Sequence, residues 1–342
     1  TRLNATTIHT TFLQHAPLAS RWFRYAAALA PELMHGFDLS DYDVIISDSH
    51  AIAKGVRRSP AQLHVCYCHT PARFAWTMAP TYAERVAYGS RFGAFFARRA
   101  QARFRTWDLA ASKRVDDFVA NSQHIAEAIA RCYGRSAAVI YPPVDVERFS
   151  RAGRGLRGET YVTVSRLVPY KRNDLIVEAF RRMPRRKLTI VGDGPERPRL
   201  ARDLPSNVTL AGRVDDATIE RLLGEARAFV FAACEDFGIA AVEAQAAGTP
   251  VIAFGPGGAN ETIRGLQSPM PTGVLFDQQT PAALIGAIEQ FEQASIQSEA
   301  CRVNAARFAA PRFRAEIKAH LDSLLDERAE RPSNCVDDGA FG

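Results

Sequence analysis

The sequence predicts an α/β protein of two Rossmann-like, doubly wound domains, each a parallel sheet covered by helices on both faces. From Tyr161 to Phe254, short apolar runs alternate with stretches of helical length, the pattern of a parallel sheet with crossover helices. Apolar runs of strand length also stand at 43–49 and 62–68, and strands buried on both faces read as continuous apolar segments. The chain has 342 residues, 47% of them hydrophobic, enough for two ordinary cores.

In order, Asp43 to Ser49 is the first strand and Gln62 to Cys68 the second. A third candidate ends at Phe118 to Asn121, a fourth is Val139 to Ile140, and helical stretches lie between and after them. Tyr141-Pro142-Pro143 breaks the chain. The Gly- and Arg-rich run Arg151 to Gly158 reads as a linker, dividing a domain of residues 1–150 from one of 151–310. The second domain predicts strands at Tyr161–Ser165, Lys187–Val191, Val208–Ala211, Ala228–Phe231 and Pro250–Phe254. Helices fall between them at Asn173–Arg182, Pro195–Asp203, Asp216–Ala226 and Gly238–Ala247. Cys301 to Leu325 reads as a terminal helical region broken near Pro311, with residues 311–328 the last helix and 329–342 a flexible polar tail.

The net charge of +6 is uneven, because residues 1–150 hold 18 Lys and Arg against 12 Asp and Glu, while the remainder holds 25 of each. Arg85 to Arg114 carries eight basic residues and one acid, Asp108. That bias suits an anionic partner. A nucleic-acid role is disfavoured, since no recognised nucleic-acid module accompanies the charge. The six cysteines show neither paired zinc spacing nor a disulfide framework, which points to a reducing cytoplasm. No run of eighteen apolar residues spans a membrane. Gly192 and Gly194 do not complete a G-x-G-x-x-G, so a dinucleotide dehydrogenase lacks its fingerprint.

Two segments carry the chemistry. In Cys234-Glu-Asp-Phe-Gly-Ile-Ala-Ala-Val-Glu243, Glu235 lies in the loop after a strand and Glu243 on the following helix. Gly238, Ile239 and Ala240 open that helix, where unpaired N–H groups and the positive dipole end favour a phosphate. The two carboxylates are suited to accepting hydrogen bonds from sugar or ribose hydroxyls. In Ser165-Arg-Leu-Val-Pro-Tyr-Lys171, two cations a few residues apart follow a strand and lead into a helix. Fixed cations there stabilise charge growing on a diphosphate leaving group without a metal.

Arg166 and Lys171, the run Val191-Gly-Asp-Gly-Pro195, the Glu235 and Glu243 pair, and Gly248 to Ala253 followed by Gly257-Gly258 together resemble the retaining GT-B glycosyltransferases of bacterial family four. The likeness spans about residues 40 to 325. Within that family, Tyr67-Cys-His-Thr-Pro-Ala-Arg-Phe-Ala-Trp76 and Asn121-Ser-Gln-His124 are similar to mannosyltransferases that extend lipid-linked oligosaccharides for exopolysaccharides and O-antigens. The resemblance implies a GT-B fold, GDP-mannose as donor, and a polyprenyl-diphosphate-linked acceptor at the inner face of the cell membrane. It implies no metal and no other cofactor. Arg166 and Lys171 would hold the diphosphate, Glu243 the ribose hydroxyls and Glu235 the transferred sugar. The backbone of Gly238, Ile239 and Ala240 would close on phosphate and sugar, and His69 would face the donor sugar across the cleft.

Family members open with a strand and a Gly-rich turn that nothing before Asp43 supplies, so the first domain is expected to lack its first strand, with Thr1 to Gly36 a helical insertion. A non-catalytic nucleotide-sugar-binding fragment, a transferase using a UDP- or ADP-sugar, an inverting enzyme and a lipid-surface protein are the alternatives. Arg91 to Trp107 reads either as a core helix with a basic outer face or as a patch that meets an anionic membrane surface. Trp76 reads as a pocket or a structural residue.

Overall fold

A computed structural model describes residues 8–11, 30–80, 82–83, 90–152 and 157–330. The chain divides into two units, Thr1–Val139 and Ile140–Gly342. This division falls before the boundary at 150 read from the sequence. Tyr141, Val144 and Phe149 pack with Phe237, Phe308 and other second-unit residues, because the apolar side chains that follow Pro142-Pro143 find their core there. Much of the predicted insertion before Gly36 lies outside the described residues; the described helix there, α1, is Ala30–His35.

Among the described residues of the first unit, β1 (Val44–Ser49), β2 (Leu63–Cys68), β3 (Asp117–Ala120) and β4 (Ala138–Val139) form a parallel sheet in chain order. All six residues of β2 are buried, which explains why the strand reads as apolar at every position but His64. Helix α2 (Arg91–Ser112) joins β2 to β3, and α3 (Gln123–Tyr133) joins β3 to β4. The ends of α3 are chemically specified: Ser122 Oγ accepts from the Ile125 amide, and Gly134 closes the helix at φ 65°. Cys66, Cys68, Phe118, Ala120, Ile125 and Ile129 form the core between α3 and the sheet.

In the second unit, six parallel strands run in the order β10-β9-β8-β5-β6-β7. They are β5 (Thr160–Val164), β6 (Lys187–Val191), β7 (Val208–Gly212), β8 (Phe229–Phe231), β9 (Val251–Phe254) and β10 (Gly273–Phe276). Adjacent residues of β5 serve opposite cores, since strand side chains alternate faces: Tyr161 packs with Ile176, Phe180 and Ile190, and Val162 with Phe229 and Val251. The chain winds outward through β5, β6 and β7, then returns to place β8 beside β5. The strand order therefore reverses between β5 and β8, and the carboxyl ends at such a reversal are where open α/β sheets bind ligands.

Sequence periodicity did not reveal β10 or the helix Pro281–Gln293 that follows it. Gly273 weakens the strand signal in a four-residue run. It is required because a Cβ there would lie 2.1 Å from the Val251 carbonyl oxygen of the neighbouring strand. The helix expected at Pro195–Asp203 is a five-residue turn, Arg197–Ala201. The break near Pro311 is present, between helices Ser298–Ala306 and Ala310–Glu330.

Candidate active site

The site in the second unit begins at the carboxyl end of β5. Leu167 is fully buried and its amide donates to the Asp193 carbonyl at 2.9 Å, while Arg166 beside it is exposed. Pro169–Lys171 makes one 3₁₀ turn, and Arg172 follows with φ 53° and ψ 36°. A non-glycine residue in the left-handed region is strained. The next residue anchors it: Asn173 is buried, and its Nδ2 donates to Ser165 Oγ at 3.1 Å, tying the helix Asn173–Arg181 back to the strand end. The Val191 to Pro195 run closes over this segment. A Cβ on Gly192 would fall 1.9 Å from the Ser165 oxygen, and one on Gly194 2.3 Å from that of Leu167. These two glycines are thus set by backbone contact with the Arg166 loop, a role that needs no dinucleotide fingerprint.

The opposing half lies at the carboxyl end of β8. Lys171 Nζ and Glu235 Oε1 form an ion pair, with side chains 19% and 16% exposed. Strand reversal thus brings together two residues 64 positions apart in the chain. Gly258 N donates to the Glu235 carbonyl at 2.8 Å, and Gly257, at φ 106°, leaves room for that carbonyl where a Cβ would lie 2.5 Å away. Phe237 is buried against Tyr141 and Phe308, with ring centroids 5.9 and 5.3 Å away. Gly238, at φ 91° and ψ 55°, turns the chain into the helix Ile239–Ala246, with Ile239 exposed and Ala240 half-buried. The first amides of a helix lack intrahelical acceptors, so this turn presents N–H groups beside Glu235 in the chain.

Glu243 has different company from Glu235. Burial raises its carboxyl above the usual carboxylate range; the charge of Arg148 works against that rise, and Asp216 and Asp145 add to it. Arg148 is itself engaged by Glu220 and by Asp216, the latter at 3.4 Å. Sequence reading singled out neither Arg148 nor Asp216. Their charges meet Glu243 only through folding.

His69 belongs to the first unit, directly after β2. Its amide donates to the Ser49 carbonyl at 2.8 Å, and Asn121 Nδ2 donates to the His69 carbonyl at 3.1 Å. Its Nε2 contacts Asp48 Oδ1, and the Tyr67 ring meets it edge-on at 5.3 Å. Sequence reading did not single out Asp48. In-register pairing of β1 with β2 places Asp48 opposite Tyr67 and Ser49 opposite Cys68, hence next to His69. Trp76 is structural. Its Nε1 donates to Asp108 Oδ2 at 2.8 Å, its ring meets Tyr133 edge-on, and the Arg105 guanidinium lies 5.0 Å from its centroid.

By sequence, residues 146–308 match the family Glycosyl transferases group 1, and residues 4–148 match Glycosyltransferase Family 4. With two parallel-sheet α/β units, the chain has the GT-B fold, and its two halves are each similar to a glycosyltransferase family. Among curated relatives, D-inositol 3-phosphate glycosyltransferase of Mycobacteroides abscessus is 34% identical over 166 residues, 42% of this chain and 38% of the relative. The GDP-mannose-dependent alpha-(1-6)-phosphatidylinositol monomannoside mannosyltransferase of Mycobacterium tuberculosis is 34% identical over 201 residues, 49% of this chain and 50% of the relative. The chain spans about half the length of the curated relatives it matches. Among solved structures, sucrose-phosphate synthase of Thermosynechococcus elongatus aligns with TM-score 0.65 at 22% identity, covering 90% of this chain and 77% of the other. Anabaena HepE in complex with UDP aligns with TM-score 0.62 at 20% identity, covering 91% and 83%. At these identities the structural likeness speaks to the fold.

Proposed function

We propose that the chain is a retaining glycosyltransferase that moves mannose from GDP-mannose onto a polyprenyl-diphosphate-linked oligosaccharide during bacterial surface polysaccharide synthesis, at the cytoplasmic face of the cell membrane. The observation that carries the reading is the Lys171–Glu235 pair at the reversal of the second sheet. A donor diphosphate competes with Glu235 for Lys171. The ammonium then turns to phosphate, and the released carboxylate accepts hydrogen bonds from the transferred sugar. Exposed Arg166 adds a second cation, and the amides of Ile239 and Ala240 add neutral donors. Glu243 takes the ribose hydroxyls, and the family resemblance alone assigns His69, which contacts Asp48 within the first unit, to the transferred sugar.

In the reaction, the bond from the anomeric carbon to the donor phosphate oxygen breaks and its electron pair stays on the phosphate. The acceptor oxygen bonds to the same face of that carbon, and its proton passes to the departing phosphate. The protein therefore stabilises leaving-group charge and supplies no strong base or metal. The relative named for GDP-mannose dependence favours that donor. The UDP complex of the HepE structure supports a UDP-sugar as the second reading.

Calorimetric titration with GDP, UDP and ADP, without added metal, tests the proposal. One nucleotide is expected to bind, and Lys171→Ala and Arg166→Ala each to weaken it on the order of 10- to 100-fold, the loss of one charge-assisted contact. Equal binding by the variants would remove the site assignment, and preference for UDP would replace the donor.

A further inference from the structure

The two sides of α2 do different work. Its inner side holds residues 71–79, the loop after His69. Gln101 Nε2 donates to the Phe74 and Ala79 carbonyls at 2.9 and 2.8 Å, and Arg105 Nη2 to the Ala75 carbonyl at 2.6 Å. Asp108 accepts from Trp76 and pairs with Lys54 at 2.5 Å, both ions almost wholly buried. A half-buried loop held at four points by one helix moves with that helix.

The outer side is apolar where a helix facing only water has no use for apolar surface. Phe92, Phe95 and Phe96 are 79%, 55% and 66% exposed. Their i, i+3, i+4 spacing puts them on one face of the first turns. Arg98, Arg99 and Arg103 are exposed beside them, with the Arg99 guanidinium 5.8 Å from the Phe95 centroid. From Phe92 to Arg103 the exposed side chains are only Phe, Arg and Ala. The helix's only acid is the buried Asp108. A cluster of rings is thus set in a field of one sign.

We propose that this outer face docks on an anionic lipid bilayer, the three rings entering the boundary between headgroups and acyl chains and the arginines pairing with lipid phosphates. Between Phe92 and Arg103 the face has no exposed amide, hydroxyl or carboxylate, and the exposed hydroxyl one turn further on, Thr106, bonds back to the Ala102 carbonyl. A bilayer requires only apolar depth and negative charge. The inference rests on the lipid-borne acceptor of the proposed function. A substrate held in that bilayer arrives beside the helix whose other side holds the loop after His69.

Co-sedimentation with vesicles of phosphatidylcholine alone, or mixed with phosphatidylglycerol, tests it. The whole chain is expected to bind the mixed vesicles and to be released by salt. Substitution of Arg98, Arg99 and Arg103 together by Gln should weaken binding on the order of a hundredfold. The triple Ser variant at Phe92, Phe95 and Phe96 should also be lost from the pellet, while circular dichroism and nucleotide titration of both variants stay as in the parent. Parent protein that ignores anionic vesicles, variants that bind as the parent does, or a vesicle-independent dimer abolished by the Phe substitutions would overturn the proposal. Because the readout is lipid binding, its failure is distinct from failure of the donor titration.

Discussion

Two histidines on one stretch of chain show what burial decides at the residue scale. His64 is fully buried, bonded through Nε2 to Ser47 Oγ at 2.9 Å, and burial pushes its pKa down to about 4. His69, five positions on, is 40% exposed on the side chain and meets a carboxylate. Sequence reading could choose His69 only by its motif, because burial is a property of the fold. Glu243 is the counterpart among the acids, held above its ordinary pKa by burial. Its ionised form is less favourable folded than unfolded, so the native state keeps the proton longer. Stability therefore falls as pH rises from the unfolded value through the raised folded value, and the whole deficit is present above it. Glu243→Gln, neutral and nearly isosteric, is expected to raise the unfolding midpoint of the second unit at neutral pH, with the gain vanishing in acid. It should also weaken nucleotide binding, the usual conflict between a charged site and stability. Denaturation across pH checks this. A gain that persists unchanged in acid would refute the role given to the charge.

Glycines show at the element scale how loops become a site. Gly192 has φ 128° and almost touches the Ser165 carbonyl, whereas Gly134 has φ 65° with nothing within 4 Å of an added Cβ. Alanine at 134 is expected to cost about 1 kcal/mol, the ordinary left-handed penalty. At 192, backbone must move against backbone, and the cost should exceed about 3 kcal/mol, with nucleotide affinity lost as the Arg166 loop shifts. Urea unfolding with nucleotide titration separates them, and equal costs would show that the close approach is not rigid. These elements also mark how far the sequence could be read. Strands β5 to β9 and most of their helices were legible because apolar runs and turn residues agree. The candidate residues Arg166, Lys171, Glu235 and Glu243 rest on local motifs, and the fold brings Lys171 and Glu235 into contact. The strand β10, the Asp48 contact to His69 and the Arg148 neighbourhood of Glu243 were not, because they depend on register or on pairing between distant segments.

Charge and chemistry are distributed differently over the two units of the whole molecule. Residues 1–139 hold 17 Lys and Arg against 10 Asp and Glu, and residues 140–342 hold 26 against 27. The second unit is therefore close to neutral, so the diphosphate site proposed for it relies on the local placement of Arg166, Lys171 and the helix start at Ile239. The first unit carries the general positive field, which suits an extended anionic surface better than one small ligand. Two ligands should then leave separate footprints. Hydrogen exchange with saturating GDP is expected to slow in 165–173, 190–195, 234–243 and 255–258, with about 2.7 kcal/mol of added protection at a hundredfold excess over Kd for amides that exchange by unfolding of the second unit. Anionic vesicles are expected to slow exchange in 90–106 and to leave the four nucleotide-sensitive loops unchanged. A nucleotide footprint centred on 69–76 would instead locate the principal phosphate contacts in the first unit, and the Lys171–Glu235 pair would then be a structural ion pair at a strand reversal.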